Sequence, residues 1–501
     1  MQLLDLVVIV VYLAASAWLG LRLSGKQRSL TGYFLGNRDL PWWAVCLSVV
    51  ATETSALTVI SVPTVAYLGT LTFIQVALGY LVGRVVVALV LLPRYYRGEM
   101  TTAYAYLGLR FGRGMQGLAS VAFLFTRLLA DGVRLFAAAI PMKVILAGLG
   151  IDASYFGIIA VLGLVTVAYT LVGGIRAVVW VDVMQMGLYV AGGLLALAFL
   201  SAGSDGNFLA AAADAGKTQI LDFTSNPVSA PYAFVTAVIG GALLSTASHG
   251  ADQIVVQRLL TCRTLRDAQR AVIVSAFVVF AQFALFLVVG LGLWSYYDGR
   301  SPEELGLATG DEIFPTYIVD VLPTGLSGLL LAGIMAAAMS TLSSSLSALS
   351  SSTMADLYAR FSSRSLTDAE GLRLGRVFTL GWGLVFIVAA ALFTGTDNPV
   401  VELGLSVAGL TYGGLLGSFF LGLWVRKARQ LDAMVGFGVA VATMSYLFLF
   451  ERELIGFTWY TAIGVVITLT VGWSMSRRHR EDSPLADRGS EQEARLGAEP
   501  H

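Results

Sequence analysis

The chain has 501 residues, of which 56% are hydrophobic and 13% charged, and its mean hydropathy is +0.76. Its 32 basic and 32 acidic residues cancel, which leaves no electrostatic case for a nucleic-acid partner. Such a composition excludes a soluble globular chain. Runs of about 20 apolar residues between short charged loops predict an all-α polytopic membrane protein rather than a β-barrel, whose strands would alternate in shorter segments.

Thirteen spans are expected, at 3–23, 42–65, 69–93, 115–147, 153–172, 176–202, 228–249, 269–297, 325–356, 374–395, 399–425, 431–450 and 456–475. The first, "LLDLVVIVVYLAASAWLGLRL", opens with Asp5 where a signal peptide would carry a basic residue, so it is kept as a helix.

The second, "PWWAVCLSVVATETSALTVISVPTVAY", sets Glu53 among hydroxyls, with Pro63 downstream. Polar residues at mid-membrane beside a helix breaker are expected where backbone unwinds to line a site. The alternative is a Pro-kinked helix whose Thr and Ser side chains bond back to carbonyls.

The fourth span contains "TRLLADGVRLF". Asp131 can pair with Arg127 or with Arg134, and one positive charge is left over. It must face water, an anionic substrate or another carboxylate such as Glu53. In the sixth span Asp182 needs a partner, water or a cation, or else it snorkels at the interface.

The ninth span runs into "AAAMSTLSSSLSALSSST", an uncharged row of hydroxyls. Ala337, Ser340, Thr341, Ser344 and Ser351 fall near one face at 3.6 residues per turn. Small residues there let helices pack closely; alternatively, the oxygens form part of a cage for a hard cation.

Basic residues gather after alternate spans, as Arg94, Arg97, Arg110 and Arg113 follow the third and Arg258, Arg263, Arg266 and Arg270 follow the seventh. The intervening loops, such as "DGRSPEELGLATGDEIF", are neutral or acidic. This bias predicts a cell-membrane protein with its N-terminus outside and its C-terminus cytoplasmic. Residues 477–501 read as a disordered cytoplasmic tail. The spans divide as one, five, five and two within a single transporter domain, 1–476. Residues 3–23 are an extra helix, 42–202 and 228–425 two inverted repeats, and 431–475 two further helices. Two distant cysteines and three histidines make no disulfide or metal pattern, and no phosphate-binding loop follows a strand.

Four stretches, "SVVATETSALTVISVP", "YTLVGGIRAVVWVDVMQ", "GADQIVVQRLLTCRTLRDAQRA" and "AGIMAAAMSTLSSSLSALSSSTMADLYARF", together resemble the solute:sodium symporter family over the chain to about residue 475. The resemblance implies a LeuT-like 5+5 inverted repeat with broken first and sixth core helices. "DQIVVQR" would be the cytoplasmic continuation of the broken sixth.

It also implies a shared sodium (Na+) site with backbone carbonyls of Ala51, Thr54 and Ala337 and hydroxyls of Ser340 and Thr341. Asp182, Ser343 and Ser344, with Ser340, stand where some members hold a second sodium. Arg134 stands near an arginine that binds the substrate carboxylate in sialic-acid members, and Glu53, Ser55, Thr58, Phe73 and Gln75 are pocket candidates. The stretch from Val62 to Gly112 looks closest to the anion-handling branch (iodide, monocarboxylate, multivitamin). The expectation is a sodium-coupled symporter of a small organic solute, favoured to be a carboxylate or other anion. A neutral or zwitterionic solute, such as proline or a sugar, is the alternative. A transporter-like sensor is disfavoured by the short tail. An enzyme is disfavoured because no nucleophile–base pair accompanies the acids.

Overall fold

The computed structural model describes residues 3–23, 25, 27–148, 151–203, 207–359, 366–391, 400–451 and 454–479, and every regular element among them is helical. The longer helices are α1 (Leu3–Leu23), α2 (Trp42–Glu53), α3 (Ala56–Leu68), α4 (Ile74–Val86), α5 (Arg113–Gly148), α6 (Tyr155–Gly203), α7 (Phe234–Gly250), α8 (Gln253–Leu259), α9 (Leu265–Tyr296), α10 (Leu326–Ser352), α11 (Asp368–Ala391), α12 (Val400–Trp424), α13 (Gln430–Phe450) and α14 (Trp459–Ser476). Most of the expected tail lies outside the described residues.

Among the described residues, seven helices are long and apolar enough to cross a membrane, or nine if each bent pair is one span. One of the seven, α6, has 49 residues. Straight, it would extend about 70 Å, against a hydrocarbon core of about 30 Å. It is broken at Gly174, where φ is 56° and ψ is −153°. A Cβ at that glycine would overlap the Tyr33 carbonyl. The Tyr33 hydroxyl donates toward the Thr170 and Leu171 carbonyls, at 3.3 and 3.2 Å, which the break leaves without helical donors. The two spans expected at 153–172 and 176–202 are the two arms of this helix.

Two other spans are broken outright. The axis bends by 61° between α2 and α3 and by 64° between α7 and α8. Asp252 caps the second break by accepting from the Ile254 N–H at 2.8 Å.

Close approach of α4 to α7 follows from their glycines. A Cβ on Gly79 would meet the Val238 carbonyl at 2.5 Å, and one on Gly83 would overlap that of Ala242. This small-xxx-small spacing lets two backbones touch in a membrane. The serine-rich α10 is the central strut: nearly all of its residues are buried, and it packs on α6, α1, α5 and both halves of the α2–α3 pair. Asp5 of α1 accepts from the N–H groups of Gly325 and Gly328, at 2.7 and 2.9 Å, and so stabilises the positive end of that helix.

Candidate functional site: a charged cavity beside two broken helices

The break between α2 and α3 frees backbone oxygens. Thr54 (φ −78°, ψ 101°) and Ser55 (φ −91°, ψ 170°) are extended. A continuous helix would give the Ser55 N–H to Ala51, but here it goes to the Thr58 hydroxyl at 3.3 Å. The Thr58 N–H goes to Ser55 at 2.9 Å rather than to Thr54. The carbonyls of Ala51 and Thr54 thereby lose their helical donors. Gln282 of α9 holds the Thr54 hydroxyl, with 2.7 and 3.0 Å separations.

Facing this break, one turn of α10 carries Ala337, Ser340 and Thr341. The Thr341 hydroxyl lies 3.1 Å from the Ala337 carbonyl. The Thr52 and Ser344 hydroxyls bridge α2 and α10 at 3.1 Å. All of these groups are buried. Such a set of neutral oxygens suits a hard, weakly charged cation such as sodium and not a thiolate- or imidazole-seeking metal. Among the described residues no cluster of three His, Cys, Asp or Glu side chains could hold a metal ion.

Asp182 is not at an interface. It is wholly buried, and Arg258 of α8 donates to its Oδ2 at 3.1 Å. Ser48 donates to the same oxygen at 2.5 Å, and Ser340 donates to Oδ1 at 2.7 Å. Arg258 also contacts the Ser344 hydroxyl. A tethered cation therefore meets the negative charge at the position expected for a second sodium. Ser343 is turned back to the Ser340 carbonyl at 3.1 Å.

A cavity of about 150 Å³ opens against this region, lined among others by Glu53, Ser55, Thr58, Phe73, Arg134 and Thr341. Gln75 is absent from its lining. Its amide donates to the carbonyls of Thr72 and Tyr232, at 3.1 and 2.9 Å, and accepts from the Asp222 N–H at 3.2 Å. It ties the loop before α7 to α4, with both amide hydrogens committed and only one oxygen lone pair left over.

The charges of the cavity wall are paired differently from the expectation. Arg127 binds Asp252 at 2.5 and 3.0 Å and lies 3.5 Å from Asp131, while Tyr412 contacts both Arg127 and Asp252. Arg134 is held by Asp131 through one nitrogen at 3.1 Å. Asp252, brought in by the α7–α8 break, supplies the carboxylate that balances the extra arginine. Glu53 pairs with neither; its partner is the buried Arg84 of α4.

The sodium:solute symporter family matches residues 33–439. The chain belongs to that family. Sodium-coupled symport of a small solute is the activity this membership carries. The symporter is 32% identical to the human sodium/iodide cotransporter, over 85% of this chain and 66% of that one. It is 28% identical to the sodium/sialic acid symporter NanT of Aliivibrio fischeri, covering 94% and 92% of the two chains. It is 30% identical to human sodium-coupled monocarboxylate transporter 1, covering 86% and 71%. These relatives are named as transporters and not as enzymes. A solved substrate-bound, outward-open Na+-coupled sialic acid symporter superposes with a TM-score of 0.85 at 25% identity, covering 96% of this chain and 98% of that one.

Three residues at or beside the candidate site carry no site expectation from the sequence: Arg84, His249 and the inward-turned Arg258. Arg84 had a signal. It is the single charge in the apolar run "FIQVALGYLVGRVVVALVLLP", and a lone intramembrane arginine requires a partner. His249 closes the span expected at 228–249 without a role there, and Arg258 reads as a loop residue until the bend turns it inward.

Proposed function

We propose that this symporter drives uptake of a small organic carboxylate with sodium by alternating access across the cell membrane, with the N-terminus outside and the C-terminus in the cytoplasm. Sodium is held by the carbonyls of Ala51, Thr54 and Ala337 and the hydroxyls of Ser340 and Thr341. The solute occupies the cavity beside it, with its carboxylate on Arg134. The units 42–202 and 228–425 act as the two inverted repeats.

One observation carries this reading: Thr341 belongs both to the cation-suited oxygen set and to the cavity wall that bears Arg134. An ion bridging α2–α3 to α10 stabilises the arrangement that completes the cavity. Ion and solute then favour each other's binding reciprocally, by about 1–3 kcal/mol for linked sites of this kind. One sodium entering down a 100 mV potential adds about 2.3 kcal/mol of drive. Arg134 supports an anion because only one of its nitrogens is engaged, and a guanidinium fork matches a carboxylate in two-point fashion.

Uptake of labelled short-chain carboxylates into proteoliposomes, with and without an inward sodium gradient, tests the proposal. Sodium-dependent accumulation is expected, and accumulation indifferent to sodium overturns it.

A further inference from the structure

The wall of the cavity away from Arg134 carries a second polar group of residues. Glu53, at the end of α2, lines the cavity with 17% of its side chain exposed. One of its oxygens contacts Arg84, and Arg84 is fixed in turn by Ser275 at 2.5 Å. His249, near the end of α7, lies beside them, and its Nε2 is 3.7 Å from Glu53 Oε2. The three meet because the glycines of α4 let it run against α7.

His249 is 1% exposed, and its Nε2 has no hydrogen-bond partner among the described residues. The other ring nitrogen is engaged. The Ser245 carbonyl, which can only accept, lies 3.2 Å from Nδ1, and the Ser248 hydroxyl lies 2.8 Å from the same nitrogen, so both contacts are satisfied with the ring proton on Nδ1. With its proton on Nδ1, the imidazole presents a bare lone pair on Nε2. A buried acceptor without a donor is costly, typically about 1–3 kcal/mol. Beside it stands a second acceptor, the Glu53 carboxylate. Glu53 Oε2 is the oxygen held by Arg84 but keeps a second lone pair, so it and the unpartnered Nε2, 3.7 Å apart on a cavity wall, can share one further donor.

Charge decides what sort of donor. Among the described residues, Arg84, Arg127 and Arg134 are matched by Glu53, Asp131 and Asp252, so the charges at the wall cancel. A carboxylate arriving with one sodium keeps that balance. An ammonium group would add an uncompensated charge inside the membrane, which is expensive.

From this geometry we infer that Glu53 and His249, backed by Arg84, form a donor-accepting subsite. The solute is then a carboxylate that also carries an uncharged hydrogen-bond donor, a hydroxyl or an amide N–H. The inference rests on the symport reading above and narrows it. Phe73 and Tyr80, each beside Phe283, supply with it an apolar wall for the carbon skeleton of the solute.

The test is a binding panel on the purified full-length chain in nanodiscs, read as thermal stabilisation in sodium and in potassium. The probes are butanoate, 3-hydroxybutanoate, 4-hydroxybutanoate, N-acetylglycine and 4-aminobutanoate. In sodium, at least one hydroxyl- or amide-bearing acid should bind about tenfold or more tightly than butanoate, because a site built for a donor rejects the analogue lacking it. The ammonium-bearing acid should gain nothing.

Glu53→Gln and His249→Asn should each bring the preference toward one. Glu53→Gln leaves buried Arg84 without its carboxylate and risks misfolding; His249→Asn removes no charge and keeps the test open. The inference is overturned if butanoate binds as well as every donor-bearing acid, if 4-aminobutanoate is preferred, or if the folded variants keep the wild-type ratio. Sodium-dependent but undiscriminating binding of all the acids sinks this inference alone. Absence of any sodium-dependent acid binding sinks the symport reading with it.

Discussion

Arg258 and Asp182 form an ion pair at 3.1 Å with neither side chain exposed, and Ser48 lies between them, accepting from Arg258 at 2.9 Å and donating to Asp182 at 2.5 Å. The pair joins α8, which follows one broken helix, to α2, which precedes the other, and to α6 and α10. Breaking a buried pair from one side strands a charge and typically costs about 3–5 kcal/mol. Asp182→Asn or Arg258→Gln should therefore lower the unfolding midpoint sharply, and the double variant should regain most of the loss. Thermal and denaturant unfolding of the purified protein measure this, and a double variant no better than the worse single one would contradict it.

Because Arg258 already meets the Asp182 charge, sodium activation of uptake should follow a one-site curve. Initial rates over a sodium titration check this. A Hill coefficient approaching two would instead mean that Asp182, Ser343 and Ser344 exchange the guanidinium for an ion.

Thr341→Ala should raise the sodium concentration for half-maximal uptake by about tenfold, the effect of losing roughly 1.4 kcal/mol from one oxygen ligand. Ser340→Ala should do the same and also destabilise, since it removes a donor from Asp182. Sodium titrations of transport, paired with unfolding midpoints, separate the two effects.

Arg134→Gln should raise KM for a carboxylate substrate by about tenfold or more while barely moving the unfolding midpoint, because Asp131 keeps Arg127 and Ser345 as partners. Arg127→Gln should do the reverse and destabilise, since buried Asp252 then keeps only Tyr412 and its cap contact. Equal effects of the two substitutions on KM would remove the distinction.

Gly174→Ala should cost more than about 2 kcal/mol, because an L-residue at φ +56° and ψ −153° is strained and its Cβ would strike the Tyr33 carbonyl. Unfolding midpoints compared with Gly187→Ala, where a Cβ meets nothing within 4 Å, provide the control.

A helical, membrane-spanning chain is readable from residue order alone, because a bilayer demands long apolar runs with every backbone group satisfied internally. Residue order also signalled the first helix break, since "ATETS" places polar residues in an apolar run with Pro63 downstream, whereas the second break followed only from the resemblance of "DQIVVQR" to the symporter family. The proposed sodium oxygens of Ala51, Thr54, Ala337, Ser340 and Thr341 came from the family resemblance and not from the pattern of polar residues.

Which charge neutralises which is a property of the folded chain. Glu53 pairs with Arg84 rather than Arg134 because Gly79 and Gly83 press α4 against α7. Asp182 pairs with Arg258, 76 positions away, because the bend at Asp252 turns α8 inward. Gln75 faces the loop and not the cavity because backbone groups of Thr72, Tyr232 and Asp222 already claim its amide. Coulomb energy depends on distance through space, and in a chain with bent helices that distance has no fixed relation to separation along the sequence.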